Sequence, residues 1–167
     1  MLSTAKLILT LVMLASAIGA AQATHPMTDL TIRWMSPEGE VLQETVLHAE
    51  DIARLEQRKF STGTPWFDND QTFSGPPVGA LAALGPGPVR KGTFIAFNAY
   101  LETLPAEDWT EHGAILATKR NGHLMDIREY GPYWVMFPID SSPQILDTQR
   151  YHGRMVWQVT EVVFVVQ

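Results

Sequence analysis

Cysteine is absent from all 167 residues. With it go disulfides, thiolate-held metals, iron–sulfur clusters, a cysteine nucleophile and a thioether lipid anchor. Charge is sparse, at 18% of residues, and basic charge sparser: 12 Lys and Arg against 18 Asp and Glu leave a net −6. Such a chain lacks the basic face that non-specific nucleic-acid binding requires, so no nucleic-acid partner is expected. Internal repeats, charge blocks and low-complexity segments are missing. There is no G-x-G-x-x-G and no phosphate loop, and Ser61, Ser74 and Ser141 stand in no G-x-S-x-G elbow. Gly85-Pro86-Gly87-Pro88 is too rich in proline to donate the successive N–H groups a phosphate needs. What is present is a hydrophobic fraction of 46% with 10% aromatics. That is enough to fill a core and too much for general disorder, and the length fits one domain.

Residues Met1 to Ala23 read as a secretory signal peptide. Lys6 precedes an apolar run from Leu7 to about Ala17, and Ala21-Gln22-Ala23 offers a small-x-small cleavage site. The run is short for a membrane span, which needs about 20 apolar residues, so no stable membrane anchor is expected; an uncleaved anchor is the competing reading. No Arg-Arg pair occurs in the leader, as in signals that export unfolded chain. The expectation is a periplasmic or secreted protein that begins at Thr24, a single domain over 24–167, with its core in place of disulfide staples.

The patterning predicts a mixed α+β domain with strands dominant and helices short. Leu30 to Trp34 alternates as a strand and is followed by a Pro37-Glu38-Gly39 turn. Glu50 to Leu55 offers one or two helical turns, with Ile52 and Leu55 on one side. Phe60 to Trp66 begins as a strand and breaks at Pro65, while Asp68 to Pro77 is polar and predicts a loop. Val78 to Leu84 is a short apolar helix that the Gly-Pro run stops. Thr93 to Phe97 has the composition of a buried strand, and Pro105 to Glu111 suits a short helix ended by Gly113. Asn121-Gly122, flanked by Ala114 to Lys119 and Leu124 to Ile127, signals a hairpin because both turn residues tolerate positive φ. Tyr133 to Phe137 is aromatic and apolar, and Val156 to Val166 closes the chain as a strand.

Chemistry-bearing residues are few. His25, His48, His112, His123 and His152 show no metal-ligand spacing, so they read as surface or structural and no metal site is assigned. Asp68-Asn69-Asp70 resembles the start of a calcium loop, yet Phe73 holds the place of the required glycine and no Glu follows at the twelfth position. Trp66, Phe67, Tyr130, Tyr133 and Trp134 lie in or beside Gly- and Pro-rich loops, where ligand sites often gather; ordinary packing is the alternative. No catalytic constellation is identifiable.

Several segments, in order, resemble the oxidoreductase molybdopterin-binding domain, the sulfite-oxidase-like fold. They are Phe60-Ser61-Thr62-Gly63-Thr64, then Phe73-Ser74-Gly75-Pro76-Pro77-Val78 with Ala80-Leu81, then Gly113 to Ala117 with Asn121-Gly122-His123-Leu124. Gly131-Pro132-Tyr133-Trp134-Val135-Met136-Phe137-Pro138 and Arg154-Met155-Val156-Trp157 complete the series. The resemblance covers roughly Leu30 to Val166. It is nearer to small exported bacterial members of the group, which Asn98-x-Tyr100 and Thr64-Pro65-Trp66 fit. It implies a strand-dominated sulfite-oxidase-like fold with a cofactor cleft, whose lining would include Ser61, Thr64, Trp66, Asn98, Tyr100, Tyr130 and Arg154.

The departures fall on the family's functional positions. Ser61 stands nearest the molybdenum-ligating cysteine, and a serine hydroxyl is a far poorer ligand than a thiolate. Trp134 aligns with the family's arginine and Val156 with its lysine, leaving Arg154 as the nearest cation. Those groups neutralise the pterin phosphate in the family, so their loss removes the electrostatic reason for an anionic cofactor to bind. A leader without twin arginines points the same way, because molybdenum enzymes generally cross the membrane folded and loaded. The reading is a module without molybdenum or pterin that binds a small ligand or a partner, such as the exported face of a membrane sensor. The alternative is a molybdopterin-dependent oxidoreductase in which Ser61 or solvent completes the metal.

Overall fold

The computed structural model describes residues 29–167. The expected leader, with its cleavage site at Ala23, lies outside the described residues.

In chain order the strands are β1 (Leu30–Met35), β2 (Val41–Leu47), β3 (Arg58–Thr64), β4 (Phe67–Gly75), β5 (Val89–Ala96) and β6 (Leu101–Pro105). There follow β7 (Ile115–Ala117), β8 (Lys119–Arg120), β9 (His123–Leu124), β10 (Trp134–Met136) and β11 (Val159–Val166). Between them stand short helices: α1 (Ala49–Arg54), α2 (Val78–Ala82), α3 (Glu107–Thr110), α4 (Pro143–Leu146) and α5 (Gln149–Arg154).

Alternation builds the main sheet. Leu30, Ile32 and Trp34 of β1 and Val159, Val162, Phe164 and Val166 of β11 are buried, while the residues between them are half-exposed. A period of two puts the β1 set and Val162, Phe164 and Val166 on one face, and the register shift between Val159 and Glu161 brings Val159 to it, so both strands cover the same core. The five-stranded sheet has the order β2-β1-β11-β5-β6. β1 and β11 pair in parallel, Thr31 opposite Glu161 and Met35 opposite Val165, which joins the two ends of the described chain at the sheet centre. Its outer face carries Arg33 between Glu44 and Glu161, and Thr93 hydrogen-bonded to Thr103.

The remaining strands form a four-stranded sheet, β3-β4-β8-β9, and the pair β10-β7. One apolar cluster runs from the main sheet through α2 and α3 to these strands. Phe164 meets Trp34, Phe94 and Trp109, and Phe73 meets Trp134 edge-on at 5.5 Å. The two fully buried indoles keep their N–H groups satisfied. Trp34 Nε1 donates to Ala82 O at 3.0 Å and Trp134 Nε1 to Met155 O at 2.9 Å.

Local signals hold at the turns. Ser36 Oγ accepts from Glu38 and Glu40 N–H around the Pro37-Glu38-Gly39 turn, and Asn121 and Gly122 take φ of 51° and 85° between β8 and β9. The flanks of that hairpin are shorter than expected, because β7 leaves it to pair with β10. The predicted loop over Asp68 to Pro77 is corrected: Phe67–Gly75 is a nine-residue strand. Its polar residues are weak strand formers, and pairing with β3 on one side and β8 on the other overrides that preference. β2, β6, α4 and α5 carry no expectation from the sequence, their periodicity being too short to register.

Candidate functional site

The strand that carries Ser61 decides where its hydroxyl goes. Along β3, Thr62 is fully buried while Ser61 is exposed, as strand alternation requires. Ser61 Oγ lies 2.7 Å from Thr72 Oγ1 across the β3–β4 pair, on the solvent side. Beyond Thr62 the register shifts, a bulge in which Gly63 N–H donates to Asp140 Oδ2 at 2.9 Å. Thr64 then pairs with Phe67 across a two-residue turn, Pro65-Trp66, that carries the Trp66 indole back over the protein.

There Trp66 meets a wall of aromatics. It stands edge-on to Trp134 at 5.2 Å, to Trp157 at 5.9 Å and to the His152 ring at 6.1 Å. Tyr130 stacks on Trp134 at 4.4 Å with a 16° interplanar angle and meets Trp157 edge-on. Phe67 closes against Tyr130 and Trp134. Four of the five aromatics singled out in the sequence thus form one group, with Trp157 added. Tyr133, one residue from Trp134, lines a separate apolar cavity of about 190 Å³ beside α1, with Ala49, Leu124 and Met125.

On the outer side of Trp66 and Trp157 opens a cavity of about 280 Å³, which Ala96, Asn98, Tyr100, His152, Gly153 and Met155 complete. It lies at one end of the main sheet, between the β5–β6 connection, the β3–β4 turn and α5. The connection is locally built: Asn98 Oδ1 accepts from Tyr100 N–H at 3.0 Å, and Ala96 and Tyr100 close the turn at 2.8 Å. This holds Ala99 at φ 66°. The Tyr100 hydroxyl lies 3.0 Å from Gly153 O and 3.2 Å from Glu102 Oε1 and shares its one proton between these two acceptors, tying the connection to α5. Desolvation, with Glu102 beside it, raises the Tyr100 pKa, so the phenol keeps its proton. On α5, the His152 Nε2 lies 2.9 Å from Asp147 Oδ1.

The structure brings Trp66, Asn98 and Tyr100 to this cavity and places the other four expected residues elsewhere. Ser61 faces solvent. Thr64 lines a neighbouring polar depression with Gly63, Asp140 and Asp147. Tyr130 lies behind the indoles, at φ 73°. Arg154 is buried on the other side of α5, where Nη1 donates to Asp108 Oδ1 at 3.0 Å and the guanidinium packs over the Tyr151 ring. Burial pushes the Asp108 carboxyl up and Arg154 draws it back down. His152 and Gly153 had no signal in the sequence, since α5 was not expected and a lone histidine is uninformative; Met155 and Trp157 stood in a segment that carried the resemblance but were not singled out as lining residues.

The fold defines a class: a mixed α+β, strand-dominated fold resembling the sulfite-oxidase-like molybdopterin-binding topology. No family model matches the chain, and no curated protein matches it. Among solved structures it is similar to the sulfane dehydrogenase SoxCD from Paracoccus pantotrophus, with a TM-score of 0.61 and 16% identity over 83% of this chain and 38% of that one. The chain therefore spans well under half of that protein's length, and the likeness is one of fold.

A molybdenum–pterin group does not fit the residues present. The chain holds no thiolate, and Ser61 stands on the solvent face of β3. Trp134 and Val156, which the sequence resemblance sets against the basic residues of molybdopterin-binding domains, are buried, and Arg154 is committed to Asp108. No lysine or arginine is among the described residues that wall the cavity. Nor do three His, Asp or Glu side chains among the described residues gather as a metal site would require.

Proposed function

We propose that the chain is an exported binding module of the sulfite-oxidase-like fold, in which the aromatic cavity beside Trp66 holds a small organic ligand without molybdenum chemistry. The observation that carries this reading is the convergence of Trp66, Trp157, Tyr100, Asn98 and His152 on one cavity of about 280 Å³. That size lies just under the ~300–1,000 Å³ of drug-sized sites, so the occupant is small. Backbone strain supports it too. Ala99, Tyr130 and Gln158 hold positive φ without being glycine, and all three belong to segments that frame or back the cavity. Such conformations cost about 1–3 kcal/mol each and gather at ligand clamps. Asn98 supplies polar amide groups at an otherwise aromatic wall.

The test is a screen of small organic molecules by tryptophan fluorescence and calorimetry, with metal and pterin analysis of protein taken from its native compartment. The expected result is a ligand bound one per chain, weakened about tenfold by Asn98→Ala, the loss of about one hydrogen bond. Molybdenum and pterin near one per chain, lost in Ser61→Ala, would instead establish the oxidoreductase reading.

A further inference from the structure

The cavity's electrostatics narrow the ligand class. Trp66 and Trp157 meet at 5.9 Å and 82°, two indoles at a right angle that form a corner. The Tyr100 ring and the His152 ring stand on adjoining sides. The faces of such rings carry negative quadrupole charge, and a cation held within about 6 Å of them is attracted. Two carboxylates lie just behind the walls. Glu102 Oε1 accepts from the Tyr100 hydroxyl at 3.2 Å and sits 3.7 Å from the position of a Cβ on Gly153. Asp147 Oδ1 is 2.9 Å from His152 Nε2. Gly153, whose carbonyl accepts from the Tyr100 hydroxyl at 3.0 Å, lines the same cavity. No lysine or arginine lines the wall, Arg154 being bound to Asp108; the one basic group there, the His152 imidazole, faces Asp147 and leaves Glu102 without a cationic partner at the wall.

On the proposal that this cavity is a ligand site, we infer that its ligand is a small organic cation of the quaternary or tertiary ammonium type. A compact ammonium fits the corner because its spread charge needs little water stripped away and takes up the ring faces on several sides. An anion would meet aromatic faces and two carboxylates, and a neutral molecule would gain apolar packing alone, without the attraction of its charge to rings or carboxylates. Asn98, at the mouth, is placed to receive a hydroxyl or carbonyl on the ligand's tail.

The experiment compares three probes of one shape: choline, its uncharged carbon analogue 3,3-dimethyl-1-butanol, and 3,3-dimethylbutanoate. Each is titrated against the full exported chain by tryptophan fluorescence and calorimetry. Choline should bind at least tenfold more tightly than the neutral analogue, and the carboxylate should bind least. Glu102→Gln should narrow the gap between choline and the alcohol by several-fold. Trp157→Phe should weaken choline more than the alcohol. Equal affinity for choline and the alcohol would overturn the cation and leave a shape-selective site intact. Tightest binding of the carboxylate would overturn it outright. Binding of a screened neutral ligand with none of the three probes bound would end the cation inference alone. No ligand at all, in screen or titration, would end both readings.

Discussion

Tyr133 and Trp134 are neighbours in the chain and end in different surroundings. Trp134 turns into the aromatic group under Trp66, stacked on Tyr130, while Tyr133 turns to the cavity beside α1. Desolvation there, with Asp29 nearby, pushes the Tyr133 phenol up to about 12. Below about pH 10 both folded and unfolded chains hold this proton. Between about 10 and 12 the unfolded chain gives it up while the folded chain keeps it, so stability falls as pH rises across that window. The predicted loss is about 2–3 kcal/mol for a shift of this size. Denaturant midpoints at a series of alkaline pH values should show it, and Tyr133→Phe should flatten that part of the profile. Arg154 carries the same lesson at this scale. A cation that looked available for an anionic ligand is used to neutralise a buried aspartate.

β4 shows how an element can contradict its own composition. Asp68-Asn69-Asp70 reads as a turn, yet the strand is held on both sides of it: Phe67 and Gln71 to Gly75 pair with β3, Phe73 and Ser74 also with β8, and only Phe73 and Gly75 need to face inward. Gly75 is where β4 passes against β7. A Cβ there would lie 2.0 Å from Leu116 O and 2.8 Å from Ala117 Cα, both backbone atoms with no freedom to step aside. Overpacking typically costs about 1–3 kcal/mol, and a backbone clash belongs at or beyond the top of that range. Gly75→Ala is therefore expected to lower unfolding free energy by about 3 kcal/mol or more, read by urea denaturation. A fall under 1 kcal/mol would mean that β4 and β7 separate more readily than their close approach implies. The bulge at Gly63 has a different consequence. By shifting the register it sets the Pro65-Trp66 turn, and through it the indole that forms one side of the aromatic cavity.

At the scale of the whole molecule, the organising contact is the parallel pairing of β1 with β11. It closes the chain on itself across its longest separation and places β11 in the middle of the main sheet. Cutting the chain after Gln158 removes that middle strand and leaves β1 and β5 with unpaired edges facing each other. The shortened chain should show no cooperative thermal transition by circular dichroism and should aggregate on size-exclusion chromatography; a sharp transition would contradict the central role given to β11. No helix among the described residues is long and apolar enough to cross a membrane.

The sequence by itself determined the strand-dominated α+β class, the turns at Pro37-Glu38-Gly39 and Asn121-Gly122, and the alternation of the terminal strand. These depend on local periodicity and on backbone freedom at single residues, which a short window contains. It also singled out Trp66, Asn98 and Tyr100, which the fold gathers at one cavity. Tertiary structure alone decided the rest. β4 became a strand because two partners supplied its hydrogen bonds, Ser61 faced solvent because Thr62 took the inward position, and Arg154 was withdrawn because Asp108 needed a counter-charge. His152 and Trp157 joined the cavity from more than fifty residues away from Trp66 and Tyr100. Which distant side chains share a wall is set by how the sheets and helices pack, and no local pattern records it.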